Sequence, residues 1–246
     1  KGYWEDRSLR DQFAEVFARH AGRVAVIDGD VVATYRELDE RSERLALNLL
    51  DLGIKPLDRV VVLLPNVIEF VYLYFALQKI GAIPICALAA HRFLEVNQFT
   101  QIAQARVCVA PDRLGDFAFA PMIERVAAEN ACLAHRIILG DAPAGCHSLR
   151  DLMDRTPKST AADLEAIEID PSDPAVFQLS GGTTGVPKLI PRTHNDYFCN
   201  SRLAVSVTEV HAESCLLLVL PIGHNLPLAC PGLQGFLIQG GRVVLS

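Results

Sequence analysis

A chain of 246 residues can bury a sizeable apolar core, as one large domain or two small ones. Half of its residues are apolar and 21% are charged, which excludes a mainly disordered polymer. The 23 basic and 29 acidic side chains sum to −6 with no long run of either sign. That argues against a nucleic-acid stripe or a polybasic membrane patch and points to a small-molecule partner.

The seven cysteines, at 86, 108, 132, 146, 199, 215 and 230, are scattered, odd in number and free of any C-x-x-C pair. Reduced thiols in a cytoplasmic setting are the expectation, with Cys199 and Cys215 read as buried apolar thiols. The richest apolar stretch, Val60 to Ala90, is broken by Pro65, Asn66, Glu69, Gln78, Lys79 and Pro84, so no membrane span is expected. The chain opens at Lys1 without Met and stops within the apolar run Val243-Val244-Leu245, and is read as a fragment.

Ser8 can cap a helix whose Leu9, Phe13, Val16 and Phe17 share one face. Strands are predicted at Arg23 to Asp28 and Val31 to Thr34, about an Asp28-Gly29 turn. Thr34-Tyr35-Arg36-Glu37 has capping-box spacing and opens a helix that Gly53 closes. Arg59 to Leu64 and Ile83 to Ala87 are continuous apolar runs on either side of a helix over Val67 to Ile80. Arg106 to Ala110 and Arg136 to Leu139 repeat that pattern, as expected of parallel strands covered on both faces. Gly140 to Pro174 is richer in Pro, Asp, Ser and Thr and reads as a surface crossover or subdomain junction. Beyond it come a strand at Ala175 to Leu179, a glycine-rich loop, a strand from Lys188, and a helix from Asn195. A strand at Cys215 to Leu220 and a helix over Pro227 to Gln239 end the series. The fold class is α/β, with largely parallel sheets and helices on both faces. Residues 1–160 form the expected first subdomain, and 161–246 the start of a second.

The loop Ser180-Gly181-Gly182-Thr183-Thr184-Gly185-Val186-Pro187-Lys188 packs three glycines, three hydroxyls and one ammonium into nine residues after an apolar strand. Glycines let backbone N–H groups approach an anion, hydroxyls donate further hydrogen bonds, and Lys188 supplies the opposite charge, so phosphate is the natural guest. The spacing is not Walker A, because Val186-Pro187 separate the last glycine from the lysine. A surface turn of small residues fits the loop equally well when it is taken alone.

The flanking residues separate the two readings. Leu179 to Lys188 followed by Pro191-Arg192-Thr193-His194-Asn195-Asp196-Tyr197 resembles the phosphate-loop signature of the adenylate-forming enzymes. Thr34-Tyr35-Arg36-Glu37-Leu38 and Leu77-Gln78-Lys79-Ile80-Gly81-Ala82-Ile83-Pro84 resemble that superfamily's first two core motifs. With Leu220-Pro221-Ile222-Gly223-His224-Asn225-Leu226-Pro227-Leu228, the chain most resembles the stand-alone aryl-acid adenylating enzymes of siderophore biosynthesis. The fold so implied is the incomplete N-terminal domain of an adenylate-forming enzyme.

The resemblance implies that ATP and Mg²⁺ serve an attack of an aryl carboxylate, salicylate or 2,3-dihydroxybenzoate, on the α-phosphorus. The acyl group then passes to the phosphopantetheine thiol of an aryl carrier protein. It assigns Ser180, Gly181, Gly182, Thr183, Thr184, Gly185 and Lys188 to the phosphates and gives His224 a catalytic place beside the acid and nucleotide. Asn225 is to bind the 2-hydroxyl of the acid, and Cys230 to line the same slot. Read without the resemblance, His224-Asn225 is a helix start with Asn as its cap. Leu226 stands where an aromatic residue is frequent in these enzymes, and Cys230 where dihydroxybenzoate enzymes commonly carry Ser, which leans toward salicylate. His194 reads as structural, at a helix start. His20, His91, His135, His147 and His211 have no metal-site spacing, so no metal ligand is assigned. The adenine segment, a ribose-binding Asp and a C-terminal lid with its Lys are expected beyond Ser246. The rival readings are an aryl- or fatty-acyl-CoA ligase, and a non-catalytic nucleotide-binding module if the native chain ends here.

Overall fold

Ser8 starts the first helix, Leu9–Arg19, by accepting a hydrogen bond from the Asp11 N–H, and the helix buries Leu9, Phe13, Val16 and Phe17. Thr34 and Glu37 close the expected capping box on the helix Tyr35–Asp51. The computed structural model describes residues 2–180 and 188–246, and the statements below concern those residues. In chain order the strands are β1 (Val24–Asp28), β2 (Val31–Thr34), β3 (Arg59–Val62), β4 (Ile83–Cys86), β5 (Val107–Pro111), β6 (Arg113–Leu114), β7 (Phe117–Ala118), β8 (His135–Leu139), β9 (His147–Ser148), β10 (Pro174–Leu179), β11 (Leu189–Thr193), β12 (Cys215–Leu218) and β13 (Arg242–Leu245).

Two mainly parallel sheets result. One has seven strands in the order β11-β10-β4-β3-β5-β8-β9, antiparallel only at the β10–β11 hairpin; the other runs β12-β13-β1-β2, antiparallel only at β1–β2. Each sheet takes strands from both sides of residue 160, since β10 and β11 pair into the first and β1 and β2 into the second.

The larger sheet is covered on both faces, which explains its unbroken apolar strands. Val60, Val62, Val107 and Val109 face one core, while Val61, Cys108 and Ala110 face a second, with Val96, Phe99, Ile123 and Val126 of the helices Phe93–Ala103 and Phe119–Glu129. The first core is shared with the smaller sheet through Val26, Val243 and Leu245. The helix Ile68–Ile80 contributes to this core and is buried almost all round. Its cap residue Val67 has no side-chain acceptor to offer, and the Asp28 carboxylate at the end of β1 accepts from the Ile68 N–H at 2.9 Å instead.

Val32 on β2 and Leu217 on β12 remain exposed, so the smaller sheet keeps apolar side chains in solvent among the described residues. Cys215 is exposed rather than buried: it lies on β12, an edge strand whose alternate side chains point away from the core. The helix expected over Pro227 to Gln239 is two helices, Asn225–Ala229 and Gly232–Ile238, separated at Cys230-Pro231. Proline cannot supply a helical N–H there, and Gly232 has φ +36 with the space for a Cβ already filled by the Pro227 carbonyl.

Phe13 packs against Phe17, Phe75 and Phe198 at centroid distances of 5.8, 4.9 and 5.7 Å, joining three helices. Phe13→Ala is expected to cost about 3 to 5 kcal/mol. Urea unfolding followed by far-UV circular dichroism should give a lower midpoint with little change in the native spectrum.

Candidate functional site

Strand β10 runs parallel to β4, so the loop after Leu179 leaves the sheet at the carboxyl ends of β3 and β4. Open α/β sheets take ligands at that edge, because the loops and helix starts gather there. The two ends of the loop are locked together: the Ser180 N–H donates to the Lys188 carbonyl and the Lys188 N–H to Ser180 Oγ, both at 2.9 Å. Lys188 is exposed. Gly181, Gly182, Thr183, Thr184 and Gly185 lie outside the described residues.

A cleft of about 430 Å³ opens at the same edge. Leu64, Pro65 and Asn66 after β3, Ala87 to Ala90 after β4, and Val219, Pro221 and Gly223 line it, with Leu114 and Ser246 completing the wall. Gly223 is required by this approach, since a Cβ there would sit 3.0 Å from the Ala87 carbonyl oxygen. Asn66 fastens the wall. Its Nδ2 lies 3.1 Å from the Leu218 and Leu220 carbonyl oxygens and 3.2 Å from that of Ser246, while Oδ1 accepts from the Ile222 N–H at 2.8 Å. His91 closes the turn after β4, its Nδ1 accepting from the Leu88 N–H at 3.0 Å and its ring edge-on to Phe99. Burial lowers its pKa, Glu95 counters that, and nearby His224 adds to the lowering.

His224 is the exposed cap residue of Asn225–Ala229 and makes no side-chain capping bond. Asn225 does not cap that helix either: its Nδ2 donates to Cys230 Sγ at 3.2 Å, and its Oδ1 is buried without a partner. Asn225 and Cys230 are thus brought together, although neither lines the larger cleft. Leu226 is exposed and borders a smaller hollow of about 160 Å³ with Leu216 to Leu220, Pro227 and Pro231.

A buried polar chain joins the strand that precedes the Ser180–Lys188 loop to this region. Gln178, two residues before Ser180, donates through Nε2 to the Tyr197 hydroxyl at 3.0 Å. Tyr197 lies on the helix His194–Thr208, whose Ser201 donates to Gln234 Oε1 at 2.8 Å, and Gln234 Nε2 donates to the Tyr74 hydroxyl at 2.5 Å. Burial raises the Tyr74 and Tyr197 phenols and pushes the Cys86 thiol between them up to about 12, so all three stay protonated. In the sequence Asn66 stands out only as an interruption of an apolar run, and Gln178, Gln234 and Asn200 belong to no motif. An Asn after the strand-ending Pro65 reads locally as an ordinary turn residue, and only the one in mid-helix is a residue type with no local reason to be there.

Residues 13–246 match the family described as AMP-binding enzyme, and the chain belongs to that family. It is 42% identical over 248 residues to a salicylyl-CoA synthase / salicylate adenylyltransferase of Streptomyces sp, covering all of this chain and 45% of that one. It is 39% identical over 245 residues to the 2,3-dihydroxybenzoate-AMP ligase of Bacillus subtilis (strain 168), covering 100% and 44%. The apo structure of Mycobacterium smegmatis MbtA superposes with a TM-score of 0.91 at 36% identity, covering 100% and 45%. The chain therefore spans a little under half the length of the relatives it matches. No described helix is long and apolar enough to cross a membrane.

His194 has a structural place. Its ring is 1% exposed, its Nδ1 accepts from the Leu9 N–H at 3.2 Å, and burial holds its pKa at about 4. An unfolded chain takes up a proton below about pH 6.5 that the folded ring refuses until about pH 4. Stability is therefore lost as pH falls through that window and this contribution levels off below it. His194→Gln should remove up to roughly 3 kcal/mol of that loss, read as the difference in unfolding free energy between about pH 7 and about pH 4.5 for the two proteins.

Proposed function

We propose that the complete protein carrying this chain activates an aryl carboxylic acid, salicylate or 2,3-dihydroxybenzoate, as its acyl adenylate and passes the acyl group to the phosphopantetheine thiol of a carrier protein. The observation that carries the acid class is the Asn225 amide, held on Cys230 by one end while its other end is buried and has no partner among the described residues. An unpaired buried acceptor is costly, and an acid bearing a hydroxyl beside its carboxylate offers the missing donor. The relatives named for salicylate and 2,3-dihydroxybenzoate support the same class.

In this reading a carboxylate oxygen attacks the α-phosphorus of ATP, the bond to the β-phosphate oxygen breaks, and pyrophosphate leaves. A carboxylate needs no general base, so the protein's part is alignment and charge neutralisation. Ser180, Thr183, Thr184 and Lys188 hold the β and γ phosphates, the backbone of Gly181, Gly182 and Gly185 lets them approach, and His224 lies between nucleotide and acid. Among the described residues no group of three or more His, Cys, Asp or Glu is arranged to hold a metal ion. In this reading Mg²⁺ enters with the nucleotide's phosphates, as part of the substrate. A CoA thiol is the second acceptor to test, favoured by the synthase name of the Streptomyces relative.

Acid-dependent ATP–pyrophosphate exchange by the complete protein is the test. Lys188→Ala should slow exchange by about 2 to 4 kcal/mol of barrier. Salicylate should be preferred to benzoate by about 1 to 3 kcal/mol in kcat/KM, a preference that shrinks in Asn225→Ala. Cys230→Ser should raise the use of 2,3-dihydroxybenzoate, because a hydroxyl pairs with a second phenol better than a thiol does. Unchanged exchange in Lys188→Ala would remove the loop from phosphate binding. Supplying CoA or a phosphopantetheinylated carrier protein to the preformed adenylate distinguishes the two acceptors.

A further inference from the structure

Asn200 stands at the seventh position of the fifteen-residue helix His194–Thr208, where asparagine is a poor helix former and has no cap to make. Its reason for being there is tertiary. Asn200 Nδ2 donates to Cys230 Sγ, thirty residues away, and this is the side chain's one hydrogen bond among the described residues. The same sulfur accepts from Asn225 Nδ2 at 3.2 Å. A thiol sulfur is a weak acceptor, and a half-buried cysteine at a helix end has more than one staggered rotamer to choose from. Two amide donors converging on it from different helices select one position, the position in which the sulfur meets Asn225.

We infer that Asn200 is a positioning residue for acid specificity: by holding Cys230 Sγ against Asn225, it keeps the Asn225 amide tethered at one end and leaves the other end for the ortho substituent of an aryl acid. The inference rests on the aryl-acid reading above and adds to it a residue on the helix that follows the phosphate loop. Asn200 itself need not touch the acid. Its influence passes through the sulfur, so it should alter discrimination between acids and leave nucleotide binding alone.

The experiment uses Asn200→Leu in the complete protein, a change that keeps the branched skeleton and removes the donor, with kcat and KM measured in ATP–pyrophosphate exchange for salicylate, benzoate and ATP. The salicylate-over-benzoate preference should fall roughly fivefold, the worth of one hydrogen bond, mostly through the KM for salicylate, with the KM for ATP unchanged. In a Cys230→Ala background the same substitution should alter the preference less than about twofold, because the sulfur it acts through is gone. Asn200→Ser, which restores a donor, should recover part of the preference and serves as the working variant if the leucine protein does not fold. An unchanged preference, an equal loss for both acids, or an undiminished effect in the Cys230→Ala background would each overturn the inference. Wild-type protein that exchanges with no aryl acid would instead overturn the functional reading beneath it.

Discussion

The side-chain amide of Asn66 sits where the chain has to join two sheets that do not hydrogen-bond to each other. Parallel strands finish with carbonyl groups that no neighbour in the sheet satisfies, and here the ends of β12 and β13 reach the edge together. One carboxamide meets that need from the larger sheet: Nδ2 faces the carbonyls of Leu218, Leu220 and Ser246, and Oδ1 takes the Ile222 N–H. An aspartate would turn an oxygen toward the same carbonyls, and a leucine would remove the Nδ2 donor and leave the Leu218 carbonyl with the Ser246 N–H alone. The Pro221-to-Asn225 segment is thereby set against the turn after β4, where Gly223 allows the contact. The cleft wall, His224 and Asn225 all inherit their position from this arrangement.

Behind the edge, the helix Ile68–Ile80 transmits position from one sheet to the other. Asp28 of the smaller sheet holds its first turn, and Gln78 near its end donates to the Ala175 carbonyl on β10, whose continuation is the Ser180–Lys188 loop. Tyr74 meets Gln234 at its middle. The Gln78 and Tyr74 contacts are buried and the Asp28 contact is partly buried, while Gln78 Oε1 has no partner among the described residues. Two clusters of site residues, the Ser180–Lys188 clasp and the Asn225–Cys230 pair, are thus tied to a common frame even though they belong to different segments of the chain.

Much of this architecture was legible in the linear sequence, for reasons that are local. The helix after Ser8 and the capping box at Thr34 follow from side chains that bond within three residues, and the buried strands β3, β4 and β5 follow from apolar runs of strand length between helices. The loop's composition and its flanking residues, together with the His224-Asn225 segment, were enough to place the chain in its family. Cys215 was misjudged because burial on an edge strand depends on which neighbour it has, and the single helix over Pro227 to Gln239 because Pro231 and Gly232 break what the apolar pattern continues.

What the sequence alone determined was therefore the alternation of helices and strands and the family, since each depends on residues close together in the chain. What only the tertiary structure decided was which strands share a sheet, so that β1 and β2 lie with β12 and β13 while β10 and β11 join the strands before residue 160. It also decided that Asn66, Gln178 and Asn200 have partners at all. The physical reason is the same in each case: a strand edge or a carboxamide can be satisfied by many partners, and the one it meets is chosen by how the apolar layers pack, which no short window of sequence contains.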